Sequence, residues 1–299
     1  MQSVDTYLRN EWPRLRPGAP TPRTLHWLLK TPRFRASGHV LGFVFADDGR
    51  DPELVVKVSR LPGDDRWIDR EAANLRSIQA ARAGGFDSIP RVAACDDGAG
   101  LRMLVQTVVP GTTMDRAAVR RRPKACADSV ATWLTDLHRA TKVAAGPDSL
   151  GRLVASPLDR FEALCAGRPG ERALVRRTRE IVEPLLAADV PLVFEHGDLS
   201  APNILIDGRD RVGVVDWELA DPAGLPATDL FFFLTFVAFA RGRASGRRDW
   251  LAAFRAAFFG PDAWATPWIR KYADAMELPA GSLKPLFVST WARYVAVAA

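Results

Sequence analysis

The sequence predicts an α+β fold in which strands dominate the first third and helices the remainder. Three observations carry this. Between residues 33 and 59, short apolar runs alternate with tight-turn signals, the pattern of an antiparallel meander. From Asp65 to Arg82, and again beyond Gly111, apolar residues recur at the three-and-four spacing of helices. Between His196 and Glu218, β-prone runs interrupt the helical half and polar residues gather at their mouth. The 299 residues, 47% of them apolar, suffice for two domains or for one large two-lobed one.

Residues 1–30 read as a short helix and a connector. Tyr7 and Trp12 offer apolar anchorage, and Pro13, Pro17, Pro20 and Pro22 stop any longer helix. Arg33 to Ala36, Val40 to Ala46 and Glu53 to Ser59 read as strands, with turns at Ser37-Gly38-His39 and Asp47-Asp48-Gly49. Lys57 stands in the middle of the third, Leu54-Val55-Val56-Lys57-Val58. A lysine there either faces solvent from an edge strand or is buried with a partner, because burying it unpaired is costly. The helix from Asp65 to Arg82 supplies that partner. Trp67, Ile68, Leu75 and Ile78 mark its apolar face, and Glu71 falls on the same face. A carboxylate on a buried stripe needs a cation, so Lys57 and Glu71 explain each other.

Ile89 to Asp96 and Leu101 to Val109 read as further strands, the second ended by Pro110-Gly111. Cys126, Val130, Trp133, Leu134 and Leu137 mark the next helix, and His138 after them reads as structural. A helix from Glu171 to Leu186 is expected to bury Leu174, Ile181 and Leu185 and to leave Arg172, Arg176 and Arg179 solvated. Asp229 opens the apolar run Leu230 to Ala240, as an N-cap or as a brace for nearby backbone. Helices follow at 249–259, 267–276 and 283–299, with Trp250, Trp264, Trp268, Tyr272, Trp291 and Tyr294 available for the core or for stacking on a substrate ring.

The segment from His196 to Glu218 carries the chemistry. Ile204-Leu205-Ile206 and Val212-Gly213-Val214-Val215 flank the turn Asp207-Gly208-Arg209-Asp210-Arg211, a β-hairpin pattern. Asp198 and Asn203 enter the hairpin and Asp216 leaves it. Asp, Asn and Asp at one end of a rigid element suit Mg²⁺ and phosphate chemistry.

The order His196-Gly197-Asp198, then Asn203, then Asp216-Trp217-Glu218 resembles the aminoglycoside phosphotransferase and choline kinase family, the small-molecule branch of the protein-kinase-like fold. The resemblance runs from about Ser37 to Leu230 and is strongest in the hairpin segment. It implies two lobes: residues 1–110, a small nucleotide-binding lobe with an antiparallel sheet, and residues 111–299, a larger, mainly helical lobe for catalysis and acceptor binding. It implies transfer of the ATP γ-phosphoryl group to a hydroxyl, with Asp198 as base and Asn203 and Asp216 holding Mg²⁺. Lys57, held by Glu71, would grip the phosphates, and the turn at Gly38 would offer backbone N–H groups to them. Adenine would meet backbone between Gln106 and Val109, with Gln106 and Val108 as the candidate contacts. His196 reads as structural, the alternative being a phospho-acceptor or base.

Composition narrows the partners. The net charge is +6, but the arginines are scattered and no nucleic-acid reader motif appears, so an arginine-rich solvated surface is expected. The first residues lack the apolar core of a signal peptide, and the most apolar run falls short of the about 20 residues that span a bilayer. Cys95, Cys126 and Cys165 lack metal-ligand spacing and read as free thiols. A cytoplasmic protein with no membrane or nucleic-acid partner is expected. From residue 228 onward Asp229, Asp249, Asp262, Asp274 and Glu277 are outnumbered by Arg241, Arg243, Arg247, Arg248, Arg255, Arg270, Lys271, Lys284 and Arg293. That balance favours a neutral or anionic, sugar-like acceptor over a polycationic aminoglycoside. Two other readings remain: a nucleotide-binding pseudokinase or regulator on the same fold, and a metal-dependent hydrolase using Asp198 and Asp216 without ATP.

Overall fold

The computed structural model describes residues 3–30, 39–60, 63, 65–98, 100–146, 148–165, 167 and 169–298. The expected strand Arg33–Ala36 and the candidate Gly38 lie outside them. The chain forms two compact units. The first takes Met1–Thr112 and two later pieces, Leu205–Gly208 and Gly213–Leu219; the second takes Thr113–Ile204, Arg209–Val212 and Ala220–Ala299.

The first unit is built on an antiparallel sheet. Helix α1 (Val4–Leu15) is capped by Ser3, whose hydroxyl accepts the Thr6 N–H. It runs through Pro13, further than its prolines suggested, because Pro13 sits in the last turn and only one intrahelical bond is lost. Leu8, Trp12 and Leu15 pack on Val44, Leu54, Val56, Ala94, Met103 and Val105. The expected connector contains a strand, β1 (Leu25–Lys30), which pairs along its length with β2 (His39–Ala46). Its sequence hides it. It lies at the edge of the sheet, Leu28 and Leu29 face solvent, and no apolar–polar alternation marks it. Next come β3 (Leu54–Ser59), α2 (Arg66–Ala80), β4 (Val92–Gly98) and β5 (Leu101–Thr107), with sheet order β1-β2-β3-β5-β4. The side chains of β3 alternate. Leu54, Val56 and Val58 join the α1 core, and Lys57 projects from the opposite face, toward Glu71 of α2. Ile68, Glu71, Leu75 and Ile78 are buried as the spacing required, but Trp67 is half-buried beneath Arg66 and Arg70.

After β6 (Thr112–Thr113), the second unit is mainly helical: α3 (Arg116–Arg121), α4 (Pro123–Thr141), α5 (Ser156–Cys165) and α6 (Pro169–Val182). Strands β7 (Val193–Glu195), β8 (Ile204–Ile206), β9 (Val212–Val214) and β10 (Asp221–Gly224) follow, then α7 (Thr228–Arg241), α8 (Arg247–Phe258), α9 (Thr266–Ala275) and α10 (Leu283–Ala298). Helix α5 was not anticipated; only Leu158 and Phe161 are buried on it, too few to mark a stripe. On α6 the buried stripe is Val175, Thr178 and Val182, continued by Leu185, while Leu174 is exposed. Arg179 is not simply solvated, since it pairs with Asp159 and Glu162. Among the described residues, no helix is long and apolar enough to cross a membrane, and the three cysteines are free.

An ion pair fixes α10 to the short β7–β10 sheet. Asp221 of β10 lies opposite Glu195 of β7. Arg293 of α10 donates to both Glu195 oxygens, at 3.0 and 3.1 Å, and the Leu225 N–H donates to the first at 3.0 Å. Gly224 makes this possible, because a Cβ there would stand 2.4 Å from the Glu195 side chain. Burial pushes the Glu195 carboxyl up to about 6, against the pull of Arg293. A raised folded-state pKa means that this group's contribution to stability falls as pH rises from its ordinary 4.5 through 6. Arg293→Ala strands the carboxylate, so urea denaturation at pH 8 should show a loss of about 3–5 kcal/mol. The loss should be smaller at pH 5, where Glu195 takes up a proton.

Candidate active site

In the first unit, Lys57 is the hub. Its Nζ lies 2.5 Å from Glu71 Oε2 and 2.6 Å from Asp216 Oδ1, and the lysine and Glu71 are almost fully buried. Burial alone would lower the lysine pKa, but the two carboxylates overcome it and hold the ammonium charged above its ordinary range. Burial raises the Glu71 carboxyl, with Lys57 opposing. Asp216 reaches Lys57 because the chain turns sharply after β9; its φ is 71°, in the left-handed region. The next residue turns inward. Trp217 is fully buried, its N–H donates to Glu71 Oε1 at 3.3 Å, its carbonyl accepts from Asn74 Nδ2 at 2.8 Å, and its indole N–H donates to the Val214 carbonyl. Glu71 therefore holds both the lysine and the backbone of the Asp216 motif.

Asn74 was not singled out from the sequence. Its signal was present: a second polar residue on the buried stripe of α2, one turn after Glu71. Nor was His39, whose Nδ1 lies 3.5 Å from Glu218 Oε2. Ligand atoms of His39, Asp216 and Glu218 lie within 4.8 Å of one another. Lys57 thus faces Glu71 and Asp216, with Glu218 close by. One lysine among three carboxylates leaves an excess of negative charge, and carboxylate oxygens are what Mg²⁺ takes as protein ligands. The residues present fit a divalent cation.

In the second unit, the loop carrying Asp198 is held from beneath. Asp229 of α7 accepts the N–H groups of His196 at 2.6 Å and Gly197 at 3.0 Å. Burial opposes its charge, but hydrogen bonding and the nearby His138 and His196 keep its carboxyl below the usual range. Asp229 is a brace and not the N-cap; Ala227, at φ 65°, holds that position. The Ala227 N–H donates to the buried Tyr272 hydroxyl, which lies 2.6 Å from His138 Nδ1. His138 is structural, as its place in the sequence suggested. His196 is fully buried and its Nδ1 accepts the Asp198 N–H. The Asp198 carboxylate accepts from Ser200 Oγ at 3.2 Å and from Asn203 Nδ2 at 3.0 Å, and that same Nδ2 donates to the Asp198 carbonyl. With its amide nitrogen committed to Asp198, Asn203 has its carbonyl oxygen available to a cation.

The two adenine candidates differ in setting. Gln106 is buried inside β5, opposite Val55 on one side and Val92 on the other. Val108 lies just beyond the strand, half-buried, and its backbone makes no hydrogen bond among the described residues.

A five-stranded antiparallel sheet with a buried Lys–Glu pair, and a helical unit with an Asp–Asn loop, define a protein-kinase-like phosphotransferase fold. The chain belongs to the phosphotransferase enzyme family, whose model matches residues 35–269. No curated protein matches it. Among solved structures, an aminoglycoside phosphotransferase from Streptomyces rimosus is 17% identical, with 89% of this chain and 92% of that one covered and a TM-score of 0.52. A thermostable mutant aminoglycoside phosphotransferase in complex with ADP and hygromycin B is 16% identical, covering 99% and 91%, with a TM-score of 0.55. The Plasmodium vivax ethanolamine kinase is 13% identical, covering 91% and 74%, with a TM-score of 0.53. At these identities the likeness is one of fold.

The brace under the Asp198 loop can be tested without substrate. Asp229→Ala removes the acceptor for two buried N–H groups, each worth about 1–3 kcal/mol when left unsatisfied. Hydrogen exchange should show the His196 and Gly197 amides exchanging faster by at least tenfold, while amides of the first-unit sheet keep their protection.

Proposed function

We propose that the protein is an ATP- and Mg²⁺-dependent phosphotransferase that moves the γ-phosphoryl group to a hydroxyl of a small molecule. The observation that carries this reading is the buried Lys57, shared by Glu71 and Asp216. A buried lysine with a fixed structural partner and a second, half-exposed carboxylate is poised to exchange that second partner for phosphate. Asn203 and Asp216 hold Mg²⁺, with Glu218 close enough to contribute through its carboxylate. Mg²⁺ held there would supply charge neutralisation at the phosphate oxygens, and Lys57, fixed by Glu71, would donate to them. The open backbone of Val108 meets the adenine edge. Asp198, oriented by Asn203 and Ser200, accepts the proton of the attacking hydroxyl.

The acceptor is a neutral or anionic, sugar-like alcohol. The basic balance beyond residue 228 supports this, since a polycation would meet like charge there. The solved relatives named above carry aminoglycoside and ethanolamine in their names, and a further one is called a putative fructosamine-3-kinase. Hydroxyl-bearing small molecules are their common ground.

An ATP-consumption screen with Mg²⁺ against sugars, sugar acids, amino alcohols and aminoglycosides tests the reading. We expect turnover with the first two groups. Asp198→Ala should lower kcat roughly 10²- to 10⁴-fold with nucleotide binding retained. Asp216→Ala should instead weaken Mg²⁺-dependent nucleotide binding. Undiminished turnover in Asp198→Ala would rule out its role as base.

A further inference from the structure

The second unit carries a cavity that the proposed chemistry does not use. It has a volume of about 400 Å³ and is lined by Arg116, Arg120, Phe239, Arg243, Ala244 and Ser245. It is a surface hollow: Arg116, Arg120, Arg243 and Ser245 are exposed and Phe239 is half-buried. Its walls are α3 and the turn joining α7 to α8. The far end of α7 is the one that braces the Asp198 loop through Asp229, so about ten residues of helix, or roughly 15 Å, separate the two.

The arginines of this cavity behave unlike many others in the chain. Arg14, Arg102, Arg122, Arg152, Arg179 and Arg293 each meet a carboxylate. The guanidinium groups of the exposed Arg116, Arg120 and Arg243 make no ion pair or hydrogen bond among the described residues, and all three residues line one cavity. Three arginines on one lining, with no carboxylate paired to them, give the hollow a positive potential. Asp249, which is not part of the lining, accepts from the Ser245 hydroxyl and N–H.

Arg243 has φ 49°, a left-handed conformation disfavoured for a side-chain-bearing residue, although Gly242 stands beside it. The turn that holds it is firmly tied, with the Ala244 N–H donating to the Phe239 carbonyl and the Trp250 indole to the Ala244 carbonyl. This is the usual closing turn of a helix, with the Arg243 N–H donating to the Ala240 carbonyl, and it fixes where Arg243 follows α7. Helix α8 starts at Arg247, just past Ser245, and its N-terminus adds positive potential.

We propose that this cavity binds the phosphate group of a small phosphate monoester, with the organic part of the ligand against Phe239. The guanidinium groups supply fork-shaped donors for the dianion, and the aromatic ring covers an apolar or sugar face. The site is separate from the Asp198 loop, and the proposal does not depend on which acceptor that loop serves.

Calorimetric titration of the full-length protein with glucose 6-phosphate, inorganic phosphate and glucose, at matched ionic strength and without nucleotide, tests it. Glucose 6-phosphate should bind more tightly than inorganic phosphate, and glucose should not bind. Arg116→Gln, Arg120→Gln and Arg243→Gln should each weaken binding roughly tenfold or more. Lys57→Met should leave it unchanged, which separates this cavity from the phosphate side of the nucleotide site. Circular dichroism of each variant checks that it is folded. Equal binding in wild type and the triple arginine variant would overturn the proposal. So would loss of binding in Lys57→Met alone, or binding of a single-stranded oligonucleotide in the absence of any binding of glucose 6-phosphate.

Discussion

Burying one lysine sets most of the first unit's architecture. Lys57 sits on a sheet face covered by a helix, where an unpaired ammonium would be expelled or neutralised. Glu71 answers that charge from the helix. But Glu71 has two oxygens, and the second takes the N–H of Trp217, a residue far along the chain. The requirement to satisfy a buried carboxylate therefore draws the Asp216 segment onto α2. Asn74 completes the fastening by binding the carbonyl of the same tryptophan. Such a buried pair is weak evidence for added stability. Its structural consequence is positional, since it holds the backbone of Trp217, next to Asp216, against α2.

The second unit follows a similar logic with the signs reversed. Its buried charges are carboxylates, Asp229 and Glu195, and each is satisfied in a different way. Asp229 uses backbone N–H groups and so shapes the loop that carries Asp198. Glu195 uses a guanidinium and so ties the last helix to the β7–β10 sheet. The difference shows in their proton affinities. Donors crowd Asp229 and pull its carboxyl down, while Glu195 remains raised despite Arg293. At Asp229 burial is outweighed by the hydrogen bond and charge of His138 and by His196, whereas at Glu195 burial prevails over Arg293 and the Leu225 N–H.

The legible parts of this protein were those where a polar residue broke an apolar pattern. Lys57 in a strand of valines and Glu71 on a stripe with Ile68 and Leu75 could be paired before any coordinates. So could the order of Asp198, Asn203 and Asp216 around a hairpin. What stayed hidden lacked such contrast. Strand β1 lies at an edge with exposed leucines, so no alternation marks it. The α6 stripe is carried by Val175 and Thr178, whose neighbour Leu174 is more apolar and turns outward. The Glu195–Arg293 pair joins residues almost a hundred positions apart, with no periodic signal to connect them.

The arginines show the same limit at the level of charge. Counted along the sequence, they look like a uniformly solvated surface with a net charge of +6. In three dimensions they divide. Some are neutralised locally, as Arg179 is by Asp159 and Glu162, and contribute little field beyond their own surroundings. Arg116, Arg120 and Arg243 are not neutralised, and they converge from α3 and from the turn after α7. A net charge is a sum and carries no position. Two chains with the same excess of arginine can differ completely in where an anion would be drawn. Here folding places three of the arginines on one lining, the third through the closing turn of α7. An anion entering that hollow would meet three arginines whose guanidinium groups have no carboxylate partner to displace.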